Sequence, residues 1–296
     1  MLIIGLTGSI ATGKSTVSSL LSSPPHNIPI IDADVLARKV VEPGTAGYRA
    51  IVNYFGPSTP DLLLPPGPAA DDASSTDDDR RRQPALNRPA LGRRVFGDSE
   101  ERKRDRTILN KIVHPAVRWE VYKSLLYYYL RGHWAVVLDV PLLFESGMDV
   151  ICGTVIVVAV KDPAVQMRRL RERDPHLSAN DAENRVRSQG DVREKVRKAK
   201  YRNRSTSPSS SQEAEDETTD KGSRGVVVWN DADKAQLSRE VNEAIATIQA
   251  HSPKWWSWLL LLAPPLGVAA AVWNMAINFS IQRSWDQKTK RARAKL

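Results

Sequence analysis

A complete phosphate-binding motif near the N-terminus constrains the fold of this chain more than any other feature. Residues 8–15 read Gly-Ser-Ile-Ala-Thr-Gly-Lys-Ser, which is a full Gly-x4-Gly-Lys-Ser loop. An apolar run at residues 2–7 precedes the loop and a helix-compatible run at residues 16–21 follows it. Strand, glycine loop and helix N-terminus in this order are the context that the motif requires. The sequence therefore predicts a parallel α/β fold that binds a nucleoside triphosphate.

The chemistry of this loop follows from its residue types. Glycines allow backbone N–H groups to converge on an anion, and the positive end of the helix dipole points at the same place. The Lys14 ammonium is expected on the β- and γ-phosphates, and the Ser15 hydroxyl on Mg²⁺. The predicted nucleotide-binding residues are Gly8, Ser9, Ile10, Ala11, Thr12, Gly13, Lys14, Ser15 and Thr16.

A second candidate element is the acidic pair that follows the β-branched run at residues 28–31. Asp32 and Asp34 are two residues apart at the carboxyl end of a predicted strand, where α/β folds bind their ligands. One carboxylate near the γ-phosphate would accept the proton of an attacking hydroxyl. The alternative is that both aspartates are helix-cap and turn residues, because Asp is common at such positions.

Strand candidates recur along the chain with helical stretches between them. They fall near residues 2–7, 28–32, 135–140, 153–160 and 225–229. This alternation predicts a parallel five-stranded sheet flanked by helices. Pro115 disfavours helix at His114, so we expect a break between two helices there, with the imidazole facing a cleft or held structurally.

The order of these motifs resembles the dephospho-coenzyme A kinase family. Besides the loop and the Asp-Ala-Asp element, the resemblance rests on His114-Pro115 and on the run Pro-Leu-Leu-Phe-Glu at residues 141–145. It covers roughly residues 1–250, apart from two insertions. The resemblance implies a P-loop kinase-like domain with a helical acceptor and lid region. It also implies ATP- and Mg²⁺-dependent phosphorylation of the ribose 3′-hydroxyl of dephospho-CoA, the last step of coenzyme A synthesis.

The resemblance also implies a role for individual residues. Asp34 would be the catalytic base, and Asp32 would position the base or the metal. Lys14 and three lid arginines would act on the nucleotide phosphates, and Asn230 would contact the adenine. The implied lid arginines are Arg169, Arg173 and Arg185, and the implied acceptor-pocket residues are His114, Pro115, Leu142, Leu143 and Glu145.

Composition separates the kinase-like part from added segments. Residues 57–90 and 204–224 are rich in Pro, Ser and acidic residues, and we expect flexible insertions there because they offer little apolar surface to bury. The single cysteine, Cys152, lies in an apolar run and is expected to be buried rather than reactive. The net charge is +9, but one of the basic stretches is the implied lid, so we expect no nucleic-acid partner.

The C-terminal segment carries a second prediction. No charged residue occurs over residues 255–281, which is long enough as a helix to cross a hydrocarbon core of about 30 Å. Tryptophans near both ends resemble interfacial belts, and a basic tail follows at residues 282–296. We expect a single transmembrane helix rather than a re-entrant or interfacial one. It would anchor a cytosol-facing catalytic domain to the mitochondrial outer membrane or the endoplasmic reticulum.

Two other functions stay open at this level. Another P-loop kinase, acting on a nucleoside monophosphate or a similar small acceptor, would carry the same loop. A non-catalytic nucleotide-binding membrane adaptor would also carry it, although the Asp-Ala-Asp element is complete here. The sequence does not decide the oligomeric state.

Overall fold

The computed structural model describes residues 1–65, 83–175, 183, 186, 192–204, 224–252 and 259–294. Two compact units make up the chain. One comprises Met1–Ile31 and Tyr127–Leu296, and the other is Asp32–Leu126. The helices are α1 (Lys14–Ser22), α2 (Ala33–Lys39), α3 (Ala46–Phe55), α4 (Arg88–Val95), α5 (Glu100–Leu130), α6 (Pro163–Arg173), α7 (Val192–Arg204), α8 (Lys234–His251) and α9 (Pro264–Arg293).

A five-stranded sheet forms the centre of the first unit. Its strands are β1 (Leu2–Gly8), β2 (Ile30–Asp32), β3 (Ala135–Asp139), β4 (Thr154–Ala159) and β5 (Gly225–Trp229), in the spatial order β2-β3-β1-β4-β5. The β1–β3, β1–β4 and β4–β5 pairs are parallel, so the predicted α/β class with a parallel five-stranded sheet is confirmed. Because β1 is central, the phosphate loop that follows it lies beside the carboxyl ends of β3 and β4.

The strands are buried because they are almost entirely apolar, as parallel strands covered on both faces must be. Every residue of β3 and β4 is buried. One main cluster joins the sheet to α1 and α8, with Val17 and Leu21 from α1 and Val241 and Ile245 from α8. This packing fixes α1, and therefore the phosphate loop that precedes it, on the sheet.

The second unit has its own apolar cluster, which corrects one prediction. Leu62 and Leu86 are buried in it, and an isolated antiparallel bridge joins Leu63 to Leu86. The ends of the insertion predicted to be flexible over residues 57–90 are therefore ordered, because they supply apolar side chains to this cluster. Residues 66–82 lie outside the described residues, as do residues 205–223 of the other insertion. The remaining buried members are Tyr48, Ile51, Phe55, Leu91 and Val95.

The predicted break at His114 is wrong, since α5 continues through Pro115 over 31 residues. An internal proline removes one backbone hydrogen bond and strains the preceding turn, at a cost of about 3 kcal/mol. Packing offsets this cost: Leu109, Ile112 and Val113 pack against the second unit's cluster just before the proline. His114 and Pro115 themselves are exposed.

The C-terminal helix also differs from its prediction. Among the described residues, no helix combines the length and the apolar character needed to cross a membrane, so the predicted transmembrane helix over 255–281 is not supported. The helix observed there, α9, runs on through the basic residues of the tail and belongs to the same compact unit as the sheet. Its Asn274 and Asn278 side chains hydrogen-bond to other residues of this unit.

Candidate active site

The backbone of the phosphate loop is left-handed at two positions. Gly13 caps α1 with φ +93°, a left-handed conformation that favours glycine, and Ala11 has φ +59°. A side chain at Gly13 would collide with the Asn230 side-chain nitrogen. Within the loop, the Thr12 hydroxyl donates to the Ser9 carbonyl oxygen at 2.8 Å. The glycine at position 13 and the Thr12 hydrogen bond both favour this loop conformation.

Side chains from α6 and from the residue that follows β5 hydrogen-bond to the backbone of this loop. Asn230, just after β5, donates from Nδ2 to the Thr12 carbonyl oxygen at 2.9 Å. The buried Gln166 of α6 donates to the Ile10 carbonyl oxygen at 2.7 Å. Arg169, one turn further along α6, donates to the carbonyl oxygen of Asn230 at 2.7 Å. Asn230 is predicted as a nucleotide contact, and the structure shows it supporting the loop; Gln166 is a support that the sequence reasoning missed.

The Lys14 ammonium forms an ion pair with Asp139 at the end of β3. Nζ lies 2.5 Å from Asp139 Oδ1, and the Asp139 side chain is only 5% exposed. Leu6 of β1 is paired with Asp139 in the sheet, which places this carboxylate beside the start of the loop. Asp139 was not predicted as a site residue. The signal for it was an acidic residue at the carboxyl end of a strand next to β1.

Oxygen donors suited to Mg²⁺ lie at the same place. The exposed Ser15 is the second residue of α1, and Asp139 contributes a carboxylate. Hydroxyl, carboxylate and phosphate oxygens are what Mg²⁺ prefers, usually with few protein ligands. In the described part of the chain, no three or more His, Cys, Asp or Glu side chains form a cluster that would hold a metal without a substrate. The residues therefore fit a magnesium ion that arrives with a nucleotide.

The segment after β3 holds the predicted acceptor residues of the first unit. Leu142 is 44% exposed, whereas Leu143 is fully buried, so Leu142 is the leucine available to a ligand. Lys195 of α7 donates to the Pro141 carbonyl oxygen at 2.8 Å and lies 3.3 Å from Glu145 Oε1. Burial lowers the pKa of Lys195, and the Glu145 carboxylate opposes this effect. Sequence reasoning gave Lys195 no role.

The predicted lid arginines are placed differently from one another. Arg169 is half-buried and bonded to the loop support described above. Arg173 is exposed, and its guanidinium lies 3.1 Å from the Asp174 carboxylate. Arg185 lies outside the described residues. Of the two that the structure describes, Arg169 is the one bonded to a residue that supports the phosphate loop.

The two predicted acidic residues lie at the start of the second unit. Asp32 caps α2, and its Oδ1 accepts hydrogen bonds from the backbone N–H groups of Asp34 at 2.8 Å and Val35 at 3.1 Å. Asp34 is in the first turn of α2 and is exposed. The Asp32 side chain is thus a helix cap, and the Asp34 carboxylate is free to meet a substrate.

Comparison with known proteins assigns the family. A family model described as dephospho-CoA kinase matches residues 2–68 and 77–207. The chain belongs to the dephospho-CoA kinase family. It is 45% identical over 202 residues to the dephospho-CoA kinase CAB5 of Saccharomyces cerevisiae, which covers 68% of this chain and 74% of the yeast protein. It is 40% identical over 198 residues to the dephospho-CoA kinase of Listeria monocytogenes, covering 67% and 85% of the two chains.

Two further similarities bear on extent and fold. An uncharacterized protein of Schizosaccharomyces pombe is 39% identical over 273 residues, which covers 92% of this chain and 93% of that protein. The crystal structure of TT1252 from Thermus thermophilus aligns with a TM-score of 0.57 at 24% identity, covering 83% of this chain and 96% of that one. A dephospho-CoA kinase from Campylobacter jejuni aligns with a TM-score of 0.51 at 23% identity, covering 84% and 98%. These two solved structures share the fold of this chain.

Proposed function

We propose that this chain transfers the γ-phosphoryl group of ATP to the ribose 3′-hydroxyl of dephospho-CoA, giving coenzyme A and ADP. The observation that carries the proposal is the complete, internally supported phosphate loop in a chain of the dephospho-CoA kinase family. Relatives that are 40–45% identical are named dephospho-CoA kinases. ATP is accordingly the phosphoryl donor.

The nucleotide half of the reaction belongs to the first unit. The loop presents backbone N–H groups and the start of α1 to the phosphates. When ATP binds, the Lys14 ammonium leaves its ion pair with Asp139 and pairs with the β- and γ-phosphate oxygens. These oxygens carry more negative charge than the single carboxylate. Ser15 and Asp139 would hold Mg²⁺, which neutralises charge on the β- and γ-phosphates when it is bound.

For the acceptor substrate, we assign the exposed Asp34 as the catalytic base. Its carboxylate takes the proton of the 3′-hydroxyl while the hydroxyl oxygen bonds to the γ-phosphorus. The bond from that phosphorus to the β,γ-bridging oxygen breaks, and ADP leaves with the electron pair. Asp32 supports this role by fixing the backbone of Asp34 through its cap hydrogen bond.

The remaining predicted residues serve binding. Leu142 and Glu145 would contact the acceptor from the segment after β3, with the buried Leu143 supporting that segment from beneath. The family resemblance also assigns His114 and Pro115 of α5 to acceptor binding. Arg169, Arg173 and Arg185 would bring positive charge to the phosphates and exclude water, which otherwise competes as the acceptor.

The cellular location is also our proposal: the catalytic units face the cytosol at the mitochondrial outer membrane or the endoplasmic reticulum, with α9 lying on the bilayer. The support is that α9 exposes apolar side chains, among them Val268, Trp273 and Phe279, and that basic residues follow from Arg283 onward. Exposed apolar side chains next to basic residues favour binding to anionic membrane surfaces. Co-sedimentation with anionic vesicles, absent with zwitterionic vesicles and weakened by Trp273→Glu, is the expected result. Equal recovery with and without vesicles would contradict it.

An acceptor screen tests the proposed activity. The full chain is incubated with ATP and Mg²⁺ together with either dephospho-CoA or a set of nucleoside monophosphates, and the products are weighed by mass spectrometry. We expect dephospho-CoA to gain one phosphoryl group at a higher kcat/KM than any monophosphate. A higher kcat/KM for a nucleoside monophosphate would contradict the proposed activity and indicate another class of P-loop kinase.

A further inference from the structure

A buried polar cluster outside the residues assigned so far joins the C-terminal helix to α7. At its centre is Arg202, whose side chain is 1% exposed. Its Nη1 donates to Asp149 Oδ2 at 3.1 Å, and its Nη2 donates to the Cys152 carbonyl oxygen at 3.1 Å. A buried guanidinium persists only when its donors are satisfied, so the groups around Arg202 determine where α7 lies.

Asn278 of α9 completes this cluster and is itself fully buried. Its Oδ1 accepts from Arg202 Nη2 and from Arg224 Nη1, both at 3.0 Å. Its Nδ2 donates to the carbonyl oxygens of Val150 and Cys152, both at 2.8 Å. Two cationic donors on one side and two carbonyl acceptors on the other fit only one orientation of the amide, and all of its hydrogen-bonding capacity is used.

Helix α7 hydrogen-bonds to both ends of the segment that connects β3 to β4. Lys195, near its start, bonds to the Pro141 carbonyl oxygen and pairs with Glu145. Arg202, near its end, bonds to Asp149 and Cys152. These two residues are seven positions apart, which places them on one helix face about 10 Å from each other. The segment 141–152 is therefore clamped at its two ends by one helix.

We infer that Asn278 is a positioning residue for the acceptor substrate, because it locks Arg202 and the end of the clamped segment together. This inference rests on the proposed function for the identity of the acceptor, which Leu142 and Glu145 of that segment would contact. The C-terminal helix thereby acts on the acceptor site as part of the kinase. Without Asn278, Arg202 and Arg224 lose their shared acceptor, and the carbonyls of Val150 and Cys152 lose a donor.

The nucleotide half of the site does not depend on this cluster. The phosphate loop is held by Asn230 and Gln166, and Lys14 is paired with Asp139. None of these contacts involves α9. Loss of Asn278 should therefore raise the KM for the acceptor selectively, whereas general destabilisation would affect both substrates.

The test compares Asn278→Ala with Asn274→Ala in the full chain. Asn274 is the matched control: it has the same side chain one turn earlier on α9, and its Oδ1 accepts from Arg224 at 3.1 Å. We expect Asn278→Ala to raise the KM for dephospho-CoA about tenfold and to change the KM for ATP less than about twofold, because misplacing a substrate-binding segment weakens that substrate alone. Asn274→Ala should change neither KM by more than about threefold.

A second measurement follows the clamped segment without any substrate. Hydrogen exchange should accelerate at residues 141–152 in Asn278→Ala, while residues 8–14 exchange as in the parent chain. Lys195→Met should raise the KM for dephospho-CoA as well, and the double variant should be less than additive because both residues hold one segment. Unchanged exchange at residues 141–152, or equal losses for both substrates, would overturn the inference. Absence of any activity on dephospho-CoA in the parent chain would instead overturn the proposed function. The hydrogen-exchange result would still show whether Asn278 holds residues 141–152 in place.

Discussion

The Asn230 side-chain amide donates to the carbonyl oxygen of Thr12 at 2.9 Å, which ties the end of β5 to the phosphate loop. The carbonyl of Asn230 in turn accepts from Arg169 of α6. One residue thus connects the phosphate loop to the helix that carries Arg169. Nucleotide binding and the position of Arg169 are expected to respond together when Asn230 is displaced.

Gly13→Ala should break the hydrogen bond between Asn230 and Thr12. The new methyl group would occupy the place of the Asn230 amide, and φ at this residue is +93°. Gly147→Ala is a matched control, because Gly147 has φ +70° and open space around its Cβ position. Both variants carry the cost of a left-handed alanine, about 1–2 kcal/mol, but Gly13→Ala alone should lose ATP binding in a calorimetric titration. Equal ATP affinities for the two variants would contradict the role of Asn230.

Lys14→Ala should impair the use of ATP. Lys14 is the cation that the loop offers to the phosphates, and its present partner is Asp139. We expect kcat/KM for ATP to fall by about 10²–10³-fold, as for other electrostatic contacts to a transferring group. Lys103→Ala is the control, because Lys103 is half-exposed and paired with Glu100 on α5. Wild-type kcat/KM in Lys14→Ala would contradict the phosphate-binding assignment.

Asp34→Asn should abolish phosphoryl transfer and leave ATP binding intact. The amide keeps the shape of the carboxylate but cannot take a proton, so kcat should fall by at least about 10²-fold. Steady-state assays and ATP titrations on the same preparation separate the two effects. Asp98→Asn, an exposed acid of the same unit, is the control. Retained turnover in Asp34→Asn would exclude Asp34 as the base.

Lys195 should give folding a specific pH dependence. Burial lowers the pKa of its ammonium below 10.5, so the unfolded chain holds this proton more tightly than the folded chain does. Stability contributed by Lys195 therefore increases as the pH rises from the lowered pKa to about 10.5. Urea unfolding should show the parent chain gaining stability relative to Lys195→Met across that window. If the difference in the free energy of unfolding between the parent chain and Lys195→Met does not change with pH, the lowered pKa of Lys195 is contradicted.

Cys152 should be unreactive in the folded chain. It is fully buried, and burial raises the pKa of its thiol to about 12. Since the thiolate is the reactive species, a maleimide at pH 8 should leave the native protein unmodified and add one label after unfolding in guanidinium chloride. Rapid labelling of the native protein would show that Cys152 is accessible, and would also place the neighbouring Asn278 contact in doubt.

Local patterns were sufficient to predict the sheet and the phosphate loop. Apolar runs bounded by turns located the five strands, and Gly13 with Lys14 specified the loop, because each depends on neighbouring residues. Continuity of α5 through Pro115 was not predictable in this way. It depends on packing against a cluster that includes Ile51 and Phe55, more than 50 positions earlier in the chain.

The transmembrane prediction for the C-terminal segment, which the described residues do not support, has a related origin. Composition alone made residues 255–281 resemble a membrane span, and Asn278 counted only as a weak polar interruption. In the structure, that asparagine satisfies Arg202 and Arg224, whose burial is set by the fold of the sheet unit. Asp139 was missed likewise, since its pairing with Lys14 joins residues 125 positions apart.

The central claim is transfer to the ribose 3′-hydroxyl of dephospho-CoA, and product mapping tests it most directly. The full chain is supplied with γ-labelled ATP, Mg²⁺ and dephospho-CoA, and the labelled product is fragmented by tandem mass spectrometry. We predict that the label resides on the 3′-position of the adenosine ribose and that one ADP forms per labelled product. A label elsewhere on the molecule, or ATP binding without any labelled product, would contradict the claim.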